Sequence, residues 1–285
     1  MQDLMQIGGV RFEFNLPSPY PWKEKDKRFK ATAHQEYSKK VKVNIHFADS
    51  LEEPKEKPLF EKEGLKVWQS GNTHLRSYRA LFLPGHPLYA VSRWEGDEVE
   101  ILFYDVQRVW NNPNMMLWSL VHMESLLLQD RSFLLHSCYT AYQGKAILFS
   151  APSGTGKTTQ ACIWKRVYSS EIINGDLTLI RQTDQGWMAC GYPVSGSAEE
   201  CFNESYPIRG IAIVRQAPEN HLEELTLAQK IQWLYSESFI NQWDGHQVTL
   251  LLDLLTHLAQ NVPVVMLHCN MEDEAAQVLQ AYLKK

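Results

Sequence analysis

The sequence predicts an α/β (α+β) protein in which a domain with a mixed sheet and helices follows a smaller, mostly antiparallel β domain. Short runs of alternating apolar and polar residues fill the first hundred positions, and a period of two is that of half-buried strands. From residue 132 onward, short apolar runs alternate with helical patterns, which indicates a sheet that carries helices. One of these strand and helix pairs is joined by a glycine-containing loop.

The N-terminal strands are predicted from four segments. Residues 9–14 and 41–47 alternate apolar with polar side chains, as expected of strands with one buried face. Residues 88–94 and 99–104 flank the cluster Glu-Gly-Asp-Glu at 95–98, and turn-forming residues between two such runs predict a hairpin. An antiparallel sheet is the simplest account of these segments.

Three regions follow one another along the chain. The N-terminal β-rich domain is predicted over residues 1–113, where we expect it to bind a substrate or a partner. An Asn-Asn-Pro-Asn cluster interrupts the pattern, and the apolar series after it has few strand-favouring residues, which predicts a buried linking helix over 114–131. The remaining residues, 132–285, are predicted to form the second domain, with the mixed sheet and its helices.

Composition excludes several classes of protein. Of the 285 residues, 44% are hydrophobic and 21% charged, which is typical of a folded globular chain and not of a disordered one. Apolar runs are too short to span a membrane, and the first residues lack a secretory signal. The five cysteines form no C-x-x-C pair, which favours reduced thiols over disulfides or a cysteine metal site. We therefore expect a cytoplasmic protein.

Charge gives no indication of a nucleic-acid partner. The formal net charge of −5 falls on residues 132–285, because basic and acidic residues balance over 1–131. Neither part has the basic excess of a general nucleic-acid binder. The sequence leaves the oligomeric state open, including a homo-oligomer.

The most informative segment is a strand, a loop and a helix over residues 146–164. It matches the phosphate-loop pattern G-x-x-x-x-G-K-[ST] at every position except the first, where Ala151 replaces glycine. Glycines at such positions allow successive N–H groups to surround phosphate oxygens, and the positive end of the following helix faces the same anion. Ala151 is compatible with the loop if its backbone angles are ordinary. The predicted nucleotide-binding residues are Ser153, Gly154, Thr155, Gly156, Lys157, Thr158 and Thr159.

A nucleotide-hydrolysing site also needs an acidic residue at the end of a later strand. Asp253 follows apolar residues that recur at helical spacing, so we place it on a helix. Asp105 lies upstream, in the N-terminal sheet. Asp176 is predicted at the start of a strand one helix beyond the loop, from where its carboxylate can reach bound phosphates.

The region from about residue 132 resembles the HPr kinase/phosphorylase group, whose phosphate-loop fold is shared with phosphoenolpyruvate carboxykinase. Members of the group carry a histidine on the strand before the loop, a hairpin turn, the loop, and an Asp-Asp pair one helix later. This sequence has His136, a turn at 142–145, the loop, and Gly175-Asp176 in that order. The first 131 residues show no such match.

The sequence departs from the group in three places. Gly175 replaces the first acid of the pair, Thr159 replaces the glutamate that often follows Lys-Ser in true HPr kinases, and a C-terminal glycine-rich loop has no counterpart. That last loop serves HPr recognition in the group, so HPr is not the expected substrate. The chain is more similar to divergent relatives that include kinases of peptide-modification clusters.

The resemblance implies ATP and Mg²⁺ as cofactors and suggests catalytic roles for Asp176, His136 and Lys157. Thr158 and Asp176 are the predicted magnesium ligands, with Asp176 alternatively acting as the base that accepts a hydroxyl proton. Structural alternatives to these roles stay open. In them Asp176 only caps a turn, and His136 is only a core or edge residue of its strand.

The leading hypothesis is an ATP-dependent serine/threonine kinase acting on a peptide or protein hydroxyl. The alternative is a catalytically degenerate nucleotide-binding protein that acts as an ATP-dependent switch in a biosynthetic cassette, which Gly175 and Ala151 favour. A carboxykinase-like reaction ranks last, because its further metal ligands are not found in the sequence. The sequence does not identify the acceptor or choose between ATP and GTP.

Overall fold

The computed structural model describes residues 1–81, 84–85, 87–104, 117–195 and 200–284. The chain divides into two compact units, Met1–Leu126 and Leu127–Lys285. Each unit contains a mixed sheet.

The first unit consists mainly of strands. Its strands are β1 (Gln2–Ile7), β2 (Val10–Asn15), β3 (Lys39–Phe47), β4 (Phe60–Lys62), β5 (Leu65–Ser70), β6 (Thr73–Arg79), β7 (Leu88–Glu95) and β8 (Glu98–Phe103). Its short helices are α1 (Glu24–Lys27), α2 (Leu117–Leu120) and α3 (Met123–Gln129), the last of which continues to the start of the second unit.

The order of strands in the first sheet is β1-β2-β3-β8-β7-β6-β5-β4. Most of its pairings are antiparallel, including the predicted β7–β8 hairpin. The sheet is thus mostly antiparallel, as expected, but β3 pairs parallel with both β2 and β8, so the simplest account, an antiparallel sheet, does not hold at this strand. Parallel neighbours need a long connection, and residues 16–38 and 48–97 separate β3 from these two strands in the chain.

The segment predicted as one linking helix over 114–131 differs in the structure. Residues 114–116 lie outside the described part of the chain, and α2 and α3 are two short helices. Between them His122 has a φ of 58°, which a continuous right-handed helix cannot contain. The imidazole of His122 is buried, and its Nε2 lies 3.0 Å from the Ser92 hydroxyl.

The second unit contains nine strands and four helices in the part of it that the structure describes. The strands are β9 (Ser132–Tyr142), β10 (Lys145–Ser150), β11 (Glu171–Asn174), β12 (Leu177–Thr183), β13 (Gly186–Cys190), β14 (Ser205–Gln216), β15 (His221–Glu224), β16 (Ser238–Phe239) and β17 (Val264–Cys269). The helices are α4 (Lys157–Tyr168), α5 (Leu227–Ser236), α6 (Gly245–Asn261) and α7 (Glu274–Leu283).

Strand β9 organises the region around the loop. It pairs antiparallel with β10, so that Ser137 lies opposite Ser150, and antiparallel with β12, so that His136 lies opposite Leu177. Neighbouring strands are spaced about 4.8 Å apart. The end of β10, where the loop begins, and the start of β12, where Asp176 lies, are therefore brought to the same part of β9.

Helices pack apolar faces against this sheet. Helix α4 buries Ile163 and Trp164 together with Phe149 of β10. Helix α6 buries Leu251, Leu255 and Leu258 in a second cluster, and its remaining face carries the exposed Asp253. The predicted helical position of Asp253 is therefore confirmed, whereas Asp105 lies outside the described residues.

Two sequence expectations concern the chain as a whole. The structure pairs none of the five cysteines in a disulfide, and four of them are buried. Among the described residues, no helix has the length and apolar character needed to cross a membrane.

Candidate functional site

The loop between β10 and α4 has the backbone conformation that its glycines were expected to supply. Gly154 has a φ of 78° and Gly156 a φ of 114°, values that residues with a side chain rarely adopt. Ala151 has no positive φ and is fully buried among apolar residues beneath the loop. The departure from the pattern therefore imposes no backbone strain at this position.

Lys157 begins helix α4 and directs its ammonium group back toward the start of the loop. Its Nζ donates to the carbonyl oxygen of Ala151 at 2.9 Å and lies 3.4 Å from that of Pro152. Burial lowers the pKa of Lys157, while the nearby charges of Asp176 and Glu237 act in the opposite direction. The side chain is thus held at the loop by weak neutral acceptors.

Asp176 lies on a two-residue bend between β11 and β12, and the buried side chain of Asn174 fixes that bend. The Asn174 Oδ1 accepts from the backbone N–H groups of Asp176 and Leu177, both at 2.9 Å. Its Nδ2 donates to the carbonyl oxygens of Tyr192 at 2.8 Å and Val194 at 3.3 Å. All four bonds depend on one carboxamide, which makes Asn174 the central contact of the bend.

One cavity of about 620 Å³ lies between the loop and this bend. It brings the adjacent residues Lys157 and Thr158 together with Asp176, which lies one helix and one strand further along the chain. The Thr158 hydroxyl, on the loop side of the cavity, lies 3.4 Å from the carbonyl oxygen of Gly175, on the side of the bend. The residues that line the cavity are Ser153, Gly154, Gly156, Lys157, Thr158, Thr159, Gly175, Asp176, Ser195 and Glu200.

Thr155 is the one predicted nucleotide-binding residue that does not line this cavity. It lines two neighbouring cavities of about 460 and 540 Å³ on the other side of the loop. Thr159 lines both the main cavity and the larger of these two. The loop thus separates the space beside Asp176 from space beside β14 and β17.

His136 connects two carboxylates at the edge of the site. Its Nε2 lies 3.4 Å from Asp176 Oδ1, and its Nδ1 lies 2.9 Å from Glu237 Oε2. The hydrogen bond with Asp176 raises the pKa of His136; burial opposes this effect and the bond with Glu237 adds to it. The imidazole is therefore a polar contact of Asp176 and not an isolated core residue of β9.

The sequence pattern missed Glu237, Asn174, Ser195 and Glu200. Glu237 is 101 positions from His136 and reaches it because β16 pairs with β9 at Leu134 and Leu135. No local spacing in the sequence predicts a contact between residues so far apart. Asn174 had a local signal, since an Asn directly before a turn commonly accepts from the backbone N–H group two residues further along the chain.

The residues present fit a magnesium ion held jointly with phosphate. Thr158 offers a hydroxyl, and the Asp176 side chain is 38% exposed at the same cavity. Within the described residues, no group of three or more His, Cys, Asp or Glu side chains could hold a metal. Mg²⁺ usually takes only one or two carboxylates and completes its shell with water and phosphate oxygens, so this donor set suits it.

Comparisons with known proteins leave the family open. The sequence matches no protein-family model and no curated protein. Among solved structures, it is similar to the Hpr(Ser) kinase/phosphatase from Coxiella burnetii, with 8% sequence identity and a TM-score of 0.31, over 53% of this chain and 92% of that one. Function has to be argued from the site itself, because function resides in particular residues more than in a fold.

Proposed function

We propose that this protein is an ATP-dependent kinase that transfers the terminal phosphoryl group to a serine or threonine hydroxyl of a peptide or protein. The observation that carries the proposal is the shared cavity, which has the phosphate loop with Lys157 on one wall and the Asp176 carboxylate on another. Phosphoryl transfer requires mainly that two reactants be positioned and that charge be neutralised. A cavity with these two walls supplies both requirements.

The loop and helix α4 account for nucleotide binding. The glycine conformations free backbone N–H groups for phosphate oxygens, and the N-terminus of α4 adds its positive dipole. The Lys157 ammonium then exchanges weak carbonyl acceptors for phosphate oxygens, which form stronger charge-assisted hydrogen bonds. Mg²⁺, when bound by Thr158 together with the nucleotide, would neutralise phosphate charge, and Asp176 takes the alternative role of the base.

Asp176 activates the hydroxyl group that accepts the phosphoryl group. The hydroxyl oxygen attacks the terminal phosphorus, the bond between that phosphorus and the bridging oxygen breaks, and ADP leaves. The hydroxyl proton passes to the Asp176 carboxylate, which serves as the general base. His136, 3.4 Å from Asp176 Oδ1, orients that carboxylate.

The test measures transfer of label from γ-labelled ATP, in the presence of Mg²⁺, to a mixture of serine- and threonine-containing peptides and to the protein itself. We expect Lys157→Met to lose both nucleotide affinity and transfer. Asp176→Asn should keep nucleotide affinity and lower the transfer rate by about 10²–10⁴-fold, the usual contribution of a general base. Lys145→Met is the matched control, because Lys145 is exposed at the opposite end of β10.

The outcome also separates the two hypotheses from the sequence. A kinase labels a peptide or itself, and that labelling depends on Asp176. A nucleotide-dependent switch binds magnesium–ATP with calorimetric heat but yields no labelled product. Unaltered transfer by Asp176→Asn would contradict the assignment of the base.

A further inference from the structure

Glu237 makes a contact with the candidate site that its place in the sequence does not suggest. It is the cap residue directly after helix α5 and directly before β16, and its side chain is only 9% exposed. Its backbone carbonyl accepts from the His136 N–H at 2.8 Å, and its carboxylate lies 2.9 Å from Nδ1 of the same residue. Two separate bonds therefore fix His136 to Glu237.

These bonds determine which nitrogen of His136 faces the cavity. With Nδ1 bonded to Glu237, the ring presents Nε2 to Asp176. A histidine ring without its second partner can rotate or exchange the proton between its nitrogens, and partners of this kind set both ring orientation and tautomer. The same logic holds for hydrolases in which a carboxylate orients a catalytic histidine.

We propose that Glu237 is a positioning residue for phosphoryl transfer: it accepts a hydrogen bond from Nδ1–H of a His136 ring that is protonated at both nitrogens, and thereby holds Nε2–H as a donor to the Asp176 carboxylate. This inference rests on the proposed kinase function. Glu237 touches neither the nucleotide nor the acceptor; it acts through His136. Its effect should therefore appear in the rate of transfer and not in nucleotide binding.

The first test compares transfer kinetics of three variants in the full chain. Glu237→Ala should lower kcat by about 10–100-fold, the scale of a misplaced catalytic group, with the KM for magnesium–ATP unchanged. Glu237→Gln retains an oxygen that can accept from Nδ1–H and should recover most of the rate. Glu223→Ala is the matched control, because Glu223 bonds His268 Nε2 at 2.7 Å away from this cavity, and it should transfer at the original rate.

The second test detects the hydrogen bond between His136 and Glu237 by a measurement that does not depend on catalysis. In nitrogen-resolved NMR spectra of the nucleotide-free full chain, the ring of His136 should show a protonated Nδ1. That signal should persist in Glu237→Gln and change in Glu237→Ala, while the signals of the buried His122 stay constant.

Each result bears on the proposal. An unchanged kcat in Glu237→Ala, a kcat loss matched by an equal change in nucleotide KM, or a Gln variant as slow as the Ala variant would overturn it. So would an Nδ1 signal that does not depend on Glu237. If the unaltered protein transfers no phosphate, the kinase function fails on that ground alone, while the NMR comparison still decides whether Glu237 positions His136.

Discussion

At the scale of single residues, Ala151 shows that a departure from a motif can be accommodated by packing. Its backbone angles are ordinary, its methyl group is fully buried, and its carbonyl accepts from Lys157. Replacing it with the glycine of the motif removes buried apolar surface and gives the unfolded chain more freedom. We expect Ala151→Gly to lower the free energy of unfolding by about 1–2 kcal/mol.

Denaturant unfolding of Ala151→Gly checks this prediction, with calorimetry of magnesium–ATP binding alongside. Nucleotide affinity should stay unchanged, because the loop already has its glycines at the positions with positive φ. A variant that is as stable as the original protein and binds ATP more tightly would show that Ala151 restrains the loop after all.

At the scale of elements, the bend between β11 and β12 depends on Asn174. Asn174→Ala removes four hydrogen bonds from a buried region, two of them from backbone N–H groups and two to carbonyl oxygens. The Tyr192 carbonyl keeps the Cys201 thiol as a donor, and a buried group that is left unsatisfied costs about 1–3 kcal/mol. Water and relaxation recover part of this, so we expect a net loss of about 2–4 kcal/mol in unfolding free energy. The displaced Asp176 should lower transfer as well.

Thermal or denaturant unfolding measures the stability of Asn174→Ala. Asn261→Ala is the control, because Asn261 is exposed at the end of α6 and makes a bond to the His257 carbonyl; it should change stability little. Equal stabilities of the two variants would contradict the role given to the bend.

Elements with a local signal could be predicted from the sequence, and contacts between distant elements could not. The strand before the loop, helix α4, and the turn at 142–145 depend on local spacing and on glycine, and the structure has all of them. His136 and Asp176 were expected together only because of the resemblance. Glu237 joins them through pairing of β16 with β9, and an alternating strand pattern does not specify which strand lies beside it.

The same limit applies at the scale of the whole molecule. Alternation predicted β2, β3, β7 and β8 in the first unit, but the parallel neighbours of β3 follow from long connections whose paths no local pattern reports. The second unit likewise places β14 between β13 and β17 and also pairs it with β10. Strand order in each sheet thus depends on packing between segments that are far apart in the chain.

Every residue that lines the candidate cavity belongs to the second unit. The two buried apolar clusters that α4 and α6 pack into also consist of residues of this unit. A unit with its own core is expected to fold by itself. We predict that a fragment of residues 123–285, which keeps helix α3 intact, unfolds cooperatively and binds magnesium–ATP with the affinity of the full chain. Calorimetry and denaturant unfolding of both proteins provide the comparison. A fragment that folds but does not bind nucleotide would contradict the assignment of the site to this cavity, and one that does not fold would contradict the independence of the unit.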